Sequence, residues 1–159
     1  VQKNAWDGKD AVLSRILQCK EGLKEFEKVL DTNPSDTSAL FEKGKLHLKL
    51  GEFEQSRVAF EKALETKPEN ADAWQLRGKI LFEMGLEKEA LHSFEKATRH
   101  KPDFPEAWYE KGLVFLRSGN LKGAENAFKI AADLWESKGL KNKAEIARQR
   151  VKKLGSSRD

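Results

Sequence analysis

The sequence predicts an all-α chain of stacked helical hairpins. Two observations carry that prediction. The first is a period. Pro34, Pro68 and Pro102 are 34 positions apart, and Phe26, Phe60, Phe94 and Phe128 share the step. So do Gly44, Gly78 and Gly112, and again Gly51, Gly85 and Gly119. The second is composition. Hydrophobic residues make up 38% and charged residues 35%, too polar for one dense core but suited to thin helical layers. Ala, Leu, Glu and Lys, all good helix formers, are abundant. A unit that cannot bury its own apolar face stacks on its neighbour and shares a continuous core with it.

Residues 1–36 admit two readings. One is a degenerate first unit, with Trp6, Phe26 and Pro34 at the landmark positions but Asp10 and Leu17 where glycines stand elsewhere. The other is a single long helix. Val12, Ile16, Cys19, Leu23, Phe26 and Leu30 step by 4, 3, 4, 3 and 4, which makes one continuous amphipathic stripe. An extended helix would leave an apolar strip for a second subunit, and hence a homodimer.

The units 37–70, 71–104 and 105–138 each read as two helices. In 71–104 the first helix runs from Ala71 to Met84, and Gly85 ends it, as glycine does at helix C-termini. The second runs from Glu87 to His100, and Pro102 blocks its continuation. Asp36 and Asn70 are N-cap residues for the helices that follow them. Pro105 suits a first helical position, where its missing N–H costs nothing. Gly44, Gly78 and Gly112 carry no side chain, so the second helix of each pair can approach closely there.

At the C-terminus, Gly139 closes the last hairpin. Asn142 with Glu145 resembles a capping box. Leu140, Ala144, Ala147, Val151 and Leu154 then form an apolar stripe with basic residues between them. The expectation is a capping helix over 139–154 that covers the last unit. A frayed tail over 155–159 follows it.

These units resemble tetratricopeptide repeats. The family pattern places a large residue at position 4, Gly at 8, a large residue at 11, Ala at 20, an aromatic at 24, Ala at 27 and Pro at 32. Unit 71–104 supplies Trp74, Gly78, Leu81, Ala90, Phe94, Ala97 and Pro102. Unit 37–70 supplies Leu40, Gly44, His47, Ser56, Phe60, Ala63 and Pro68. Unit 105–138 supplies Trp108, Gly112, Phe115, Ala124, Phe128 and Ala131, with Glu136 in place of the proline. The resemblance implies a right-handed α-solenoid in which Ser56, Ala90 and Ala124 face the close approach at the glycines. At position 7, where the family often has Leu, stand Lys43, Arg77 and Lys111, whose stems can cover apolar surface.

Little in the chain suggests catalysis. His47, His92 and His100 form no i, i+4 pair and no cluster with Cys19, so no metal site and no cofactor are expected. His47 and Cys19 read as packed, buried side chains. No G-x-S-x-G, phosphate-binding glycine loop or H-E-x-x-H occurs, and the acids alternate with Lys along helix faces as a solvated surface does. The chain is not expected to be an enzyme. A single cysteine is compatible with a reducing, cytoplasmic setting. No apolar run approaches the length of a spanning helix, so no membrane partner is expected.

The resemblance also implies where a partner would bind. In the family the first (A) helices line a concave face, to which positions 2, 5, 9, 12 and 13 point. Those positions hold Phe41, Lys45, Leu48 and Lys49 in the first regular unit. They hold Gln75, Lys79, Phe82 and Glu83 in the second, and Tyr109, Leu113, Leu116 and Arg117 in the third. The expectation is a peptide-binding groove with an apolar floor and two ammonium groups, Lys45 and Lys79, one unit apart. Family members that grip chaperone C-terminal carboxylates use Lys, Asn and Arg at defined positions. The matching positions here are Phe41, Lys45, Leu76, Glu106 and Glu110, or one unit earlier Asp7, Ala11, Glu42, Asp72 and Leu76. Neither set makes that clamp. The residues from Lys138 onward carry eight basic against two acidic side chains. That helix has no aromatic platform for bases, so nucleic acid is a disfavoured partner.

Overall fold

A computed structural model describes residues 3–156, with side chains from Lys9. The side chains of Trp6 and Asp7 lie outside the described residues. Eight helices are present among them: α1 Lys3–Thr32, α2 Thr37–Lys49, α3 Phe53–Thr66, α4 Ala71–Glu83, α5 Glu87–His100, α6 Pro105–Arg117, α7 Leu121–Ser137 and α8 Lys141–Ser156. The fold is all-α. The chain divides into two compact units, Val1–Pro68 and Glu69–Asp159.

In the first unit α1 is continuous from Lys3 to Thr32. The reason is legible at Leu17. The residues one repeat further on, Gly51, Gly85 and Gly119, all adopt φ between +74° and +79°. Leu reaches that left-handed region only at a cost of about 1–2 kcal/mol, so the helix runs on. Cys19 is half-buried rather than buried, on a helix whose main packing partner among the described residues is α2. Gly22 brings α1 close to α2, and a Cβ there would stand 2.9 Å from Leu46. Asp36 caps α2 by accepting from the Ala39 N–H at 2.8 Å. Helices α2 and α3 cross at Gly44, where an added Cβ would meet the Phe60 ring at 2.9 Å. Ser56 Oγ donates to the Gly44 carbonyl at 2.6 Å in the same crossing. His47 is buried beside it, with Nδ1 2.5 Å from Glu52 Oε2.

The second unit repeats the crossing twice. A Cβ on Gly78 would meet Phe94 at 2.8 Å, and one on Gly112 would meet Phe128 at 2.7 Å. Position 24, not only position 20, therefore sets the closeness of each pair. Val114 of α6 is buried with Leu81, Ala90 and Phe94, which seats α6 on the α4–α5 pair. Asn70 accepts from the Ala73 N–H at 3.0 Å, and Pro105 opens α6. Helix α7 has 17 residues against 14 in α3 and α5, because Glu136 stands where Pro68 and Pro102 stop the others.

Helix α8 lays Ala144 and Ala147 against Ala131, Ala132 and Trp135, and Leu154 against Ala124 and Phe128. It starts at Lys141, and the Ala144 N–H already bonds to the Leu140 carbonyl. Asn142 thus sits inside the first turn, out of register for the capping box expected with Glu145. Helix α8 also continues through Gly155 and Ser156, where a frayed tail was expected. Residues 157–159 lie outside the described residues. Among the described residues no helix is long and apolar enough to cross a membrane.

Candidate functional site

The residues expected to meet a partner lie on α2 in the first unit and on α4 and α6 in the second. On α2, Phe41 is half-buried, with its ring edge-on to Phe60 at 5.6 Å. Lys45 Nζ lies 2.8 Å from Glu42 Oε1 and 5.5 Å from the Phe41 ring centre, so its charge is already matched. Leu48 is half-buried and Lys49 exposed.

In the second unit α4 and α6 are joined by side chains. Gln75 is only 8% exposed, and its Nε2 donates to Glu110 Oε2 at 2.5 Å. Burial pushes the Glu110 carboxyl up to about 7, against the Gln75 hydrogen bond and the Lys79 charge, which pull it down. Glu106 and Glu83 add to the upward push. Lys79, one turn beyond Gln75, is exposed, as is Glu83 beyond it. The Phe82 ring lies beneath the Arg117 guanidinium, whose central carbon is 3.7 Å from the ring centre. Arg117 also donates to the Phe82 carbonyl at 2.9 Å and stands 2.5 Å from Glu87. It therefore ties the end of α6 to the C-terminal end of α4, where a cation suits the helix dipole.

Tyr109 tilts against Phe128 at 5.2 Å and Trp135 at 5.4 Å. Leu113 and Leu116 are half-buried against the cluster of Ala124, Phe128 and Leu154. Glu106 accepts from Trp135 Nε1 at 3.2 Å and from Lys143 of α8 at 3.3 Å. Burial alone would raise its pKa, but a backbone N–H and these two donors outweigh it and hold the carboxyl below its ordinary value.

Of the sequence-named residues of this unit, Gln75, Phe82 and Arg117 are thus engaged in contacts within it. Lys79, Tyr109, Leu113 and Leu116 keep surface toward solvent. The partners Glu110, Glu87 and Trp135 were not singled out by sequence. A signal for Glu110 exists. Gln75–Glu110, Phe82–Arg117 and Asp103–Lys138 each span 35 positions, one repeat plus one residue. Lys111 bears out the packing expected of position 7, with Nζ 5.1 Å from the Trp108 ring centre and 5.7 Å from that of Phe115. Among the described residues no group of His, Cys, Asp and Glu is arranged to hold a metal ion.

Two family models, both described as tetratricopeptide repeat, match residues 18–80 and 76–138. The chain belongs to the tetratricopeptide repeat family. Solved structures of the same fold include MamA 41-end from Desulfovibrio magneticus RS-1, at 22% identity and a TM-score of 0.70 over 94% of each chain. PcrH in complex with the chaperone binding region of PopD is similar at 19% identity and a TM-score of 0.73, over 84% of this chain and 96% of that one. The TPR2B-domain:pHsp70 complex of yeast Sti1 is similar at 17% identity and a TM-score of 0.71, over 76% and 97%. No curated protein sequence matches the chain. In tetratricopeptide terms α2, α4 and α6 are A helices, and α3, α5 and α7 are B helices.

Proposed function

We propose that this chain is a non-catalytic protein-interaction scaffold that holds a peptide segment of a partner on its A-helix face, in a cytoplasmic setting. The observation that carries the reading is the partly buried apolar stripe Tyr109, Leu113 and Leu116 on α6, with the Lys79 ammonium near the Glu110 carboxyl beside it. Such a surface suits a peptide with apolar anchors and a carboxylate placed for Lys79. In the first unit, Phe41, Lys45, Leu48 and Lys49 of α2 are proposed as a contact surface of its own. Protein and peptide complexes of fold neighbours, with PopD and with an Hsp70 peptide, support an interaction role. The chemistry differs from a chaperone-tail clamp, since Glu106 and Glu110 stand where a clamp has Lys and Arg. No binding of such tails is expected in calorimetry.

The test is selection of peptides from a displayed library, followed by titration against variants. Lys79→Glu and Leu116→Ser should each weaken a selected peptide tenfold or more. Unchanged affinity in both would place binding elsewhere. A second reading, self-association through α1, is favoured by the exposed apolar side chains Val12, Leu13 and Leu17. Sedimentation at several concentrations tests it.

A further inference from the structure

The first unit leaves one helix face uncovered. In the three regular repeats the aromatic at position 24 is closed off by the glycine of its own A helix, and the Ala at position 27 is buried as well. Phe60, Phe94, Phe128, Ala63, Ala97 and Ala131 are all fully buried. In α1 the matching residues are Phe26, which is only partly buried, and Val29, which is 41% exposed. The stretch that would have formed the A helix instead runs straight on through Leu17. That stretch carries its own uncovered apolar residues. Leu13 is 57% exposed, whereas His47 and Leu81 at the same repeat position are buried.

These two exposed surfaces are the two halves of one A–B contact. They cannot meet within a straight helix. Asp10 and Phe26 stand at the positions of the touching pairs Gly44–Phe60, Gly78–Phe94 and Gly112–Phe128. Along α1 they are separated by about 24 Å at the ordinary helical rise.

We propose that a second copy of this chain closes the contact. The N-terminal half of α1 in each protomer lies antiparallel on the C-terminal half of its partner's α1, as an A helix lies on its B helix. This rests on the self-association reading above and adds the pairing. The occupant is a second copy because the missing A-type surface is present in the chain itself, and one two-fold operation covers both faces of both chains. The axis passes near Leu17, at 60% the most exposed of the large hydrophobic side chains described. Exchange of an identical element is a low-cost route to a dimer, since it reuses a contact the fold already makes. Asp10 replaces the crossing glycine, so the helices stand further apart there than in a regular repeat, and the partly buried Phe26 ring has room to turn.

The test uses the full chain in a Cys19→Ser background. Sedimentation velocity over a range of concentrations reads the mass. An Asp10→Cys chain is then mixed with a size-tagged Phe26→Cys chain and treated with a short bismaleimide. Expected are a doubling of mass with concentration and a tagged–untagged product, with Asp10→Cys alone giving none. Val29→Cys, one turn along the same face, serves with a longer spacer if Phe26→Cys does not fold. A dimer without the mixed product overturns this pairing while leaving self-association standing. A monomer at every concentration overturns both. A link formed inside one chain carrying both cysteines shows that α1 folds back on itself, and also overturns the proposal.

Discussion

Gln75 in α4 donates a 2.5 Å hydrogen bond to Glu110 in α6, joining two A helices across 35 positions of sequence. The carboxyl that accepts it is raised by burial to about 7 from an ordinary 4.5. Between those values the folded chain holds a proton on Glu110 that the unfolded chain has lost. Its contribution to stability is therefore full below about pH 4.5 and is lost as pH rises through 7. Glu110→Gln keeps an acceptor for Gln75 without the charge. It should flatten this part of the pH profile and raise the melting temperature at pH 8 by a few degrees over wild type. Parallel melting curves of the two chains from pH 4 to 8 would refute this.

The glycines of one repeat do different work, and substitution separates them. Gly112→Ala places a Cβ 2.7 Å from Phe128 and should cost about 1–3 kcal/mol by overpacking. Gly119 has open space around it but φ of +77°, so Gly119→Ala should cost about 1–2 kcal/mol through backbone strain. Asn adopts that conformation more readily than Ala. Gly119→Asn should thus recover much of the loss, whereas Gly112→Asn should be worse than Gly112→Ala. Urea denaturation of the four variants gives the order.

Arg117 reaches back from α6 to the Phe82 ring, the Phe82 carbonyl and Glu87. It is partly exposed, so the stack and the charge pair are screened. Arg117→Ala should cost about 1 kcal/mol. Arg117→Lys should recover only part of that, because an ammonium cannot stack as a planar guanidinium does. Equal melting temperatures for Arg117→Ala and wild type would remove this tie from the account.

Leu17→Gly should change the behaviour of α1. Glycine at this position permits the left-handed turn seen at Gly51, Gly85 and Gly119, and α1 can then fold back on itself. On the α1 pairing proposed above, the expected outcome is a shift from dimer to monomer in sedimentation, with helix content by circular dichroism falling by only a few residues. A Leu17→Gly chain as dimeric as wild type would count against the role given to Leu17.

The locally determined features were readable in advance. Asp36, Asn70, Pro105 and Gly85 act on backbone groups within a few residues of themselves, so their identity is enough to place helix ends. The stripe expected to face a partner was readable only as an address. Position in the repeat puts Gln75, Phe82 and Arg117 on the A helices, but each turns toward a partner one repeat away. Glu110 looked like one more solvated acid, because nothing near it in sequence reveals that Gln75 and α4 cover it.

The 34-residue period, its glycines and its aromatics by themselves determined the all-α repeat fold, since each encodes a turn or a crossing that recurs with the same geometry. Residues at equivalent positions nevertheless meet different neighbours. Only the tertiary structure decided that Arg117 stacks on Phe82, that Glu110 is covered by Gln75, and that Phe26 lacks the close helix crossing that buries Phe60. Burial and charge pairing belong to what packs on a residue, and that is set by the neighbouring helices rather than by the repeat position itself.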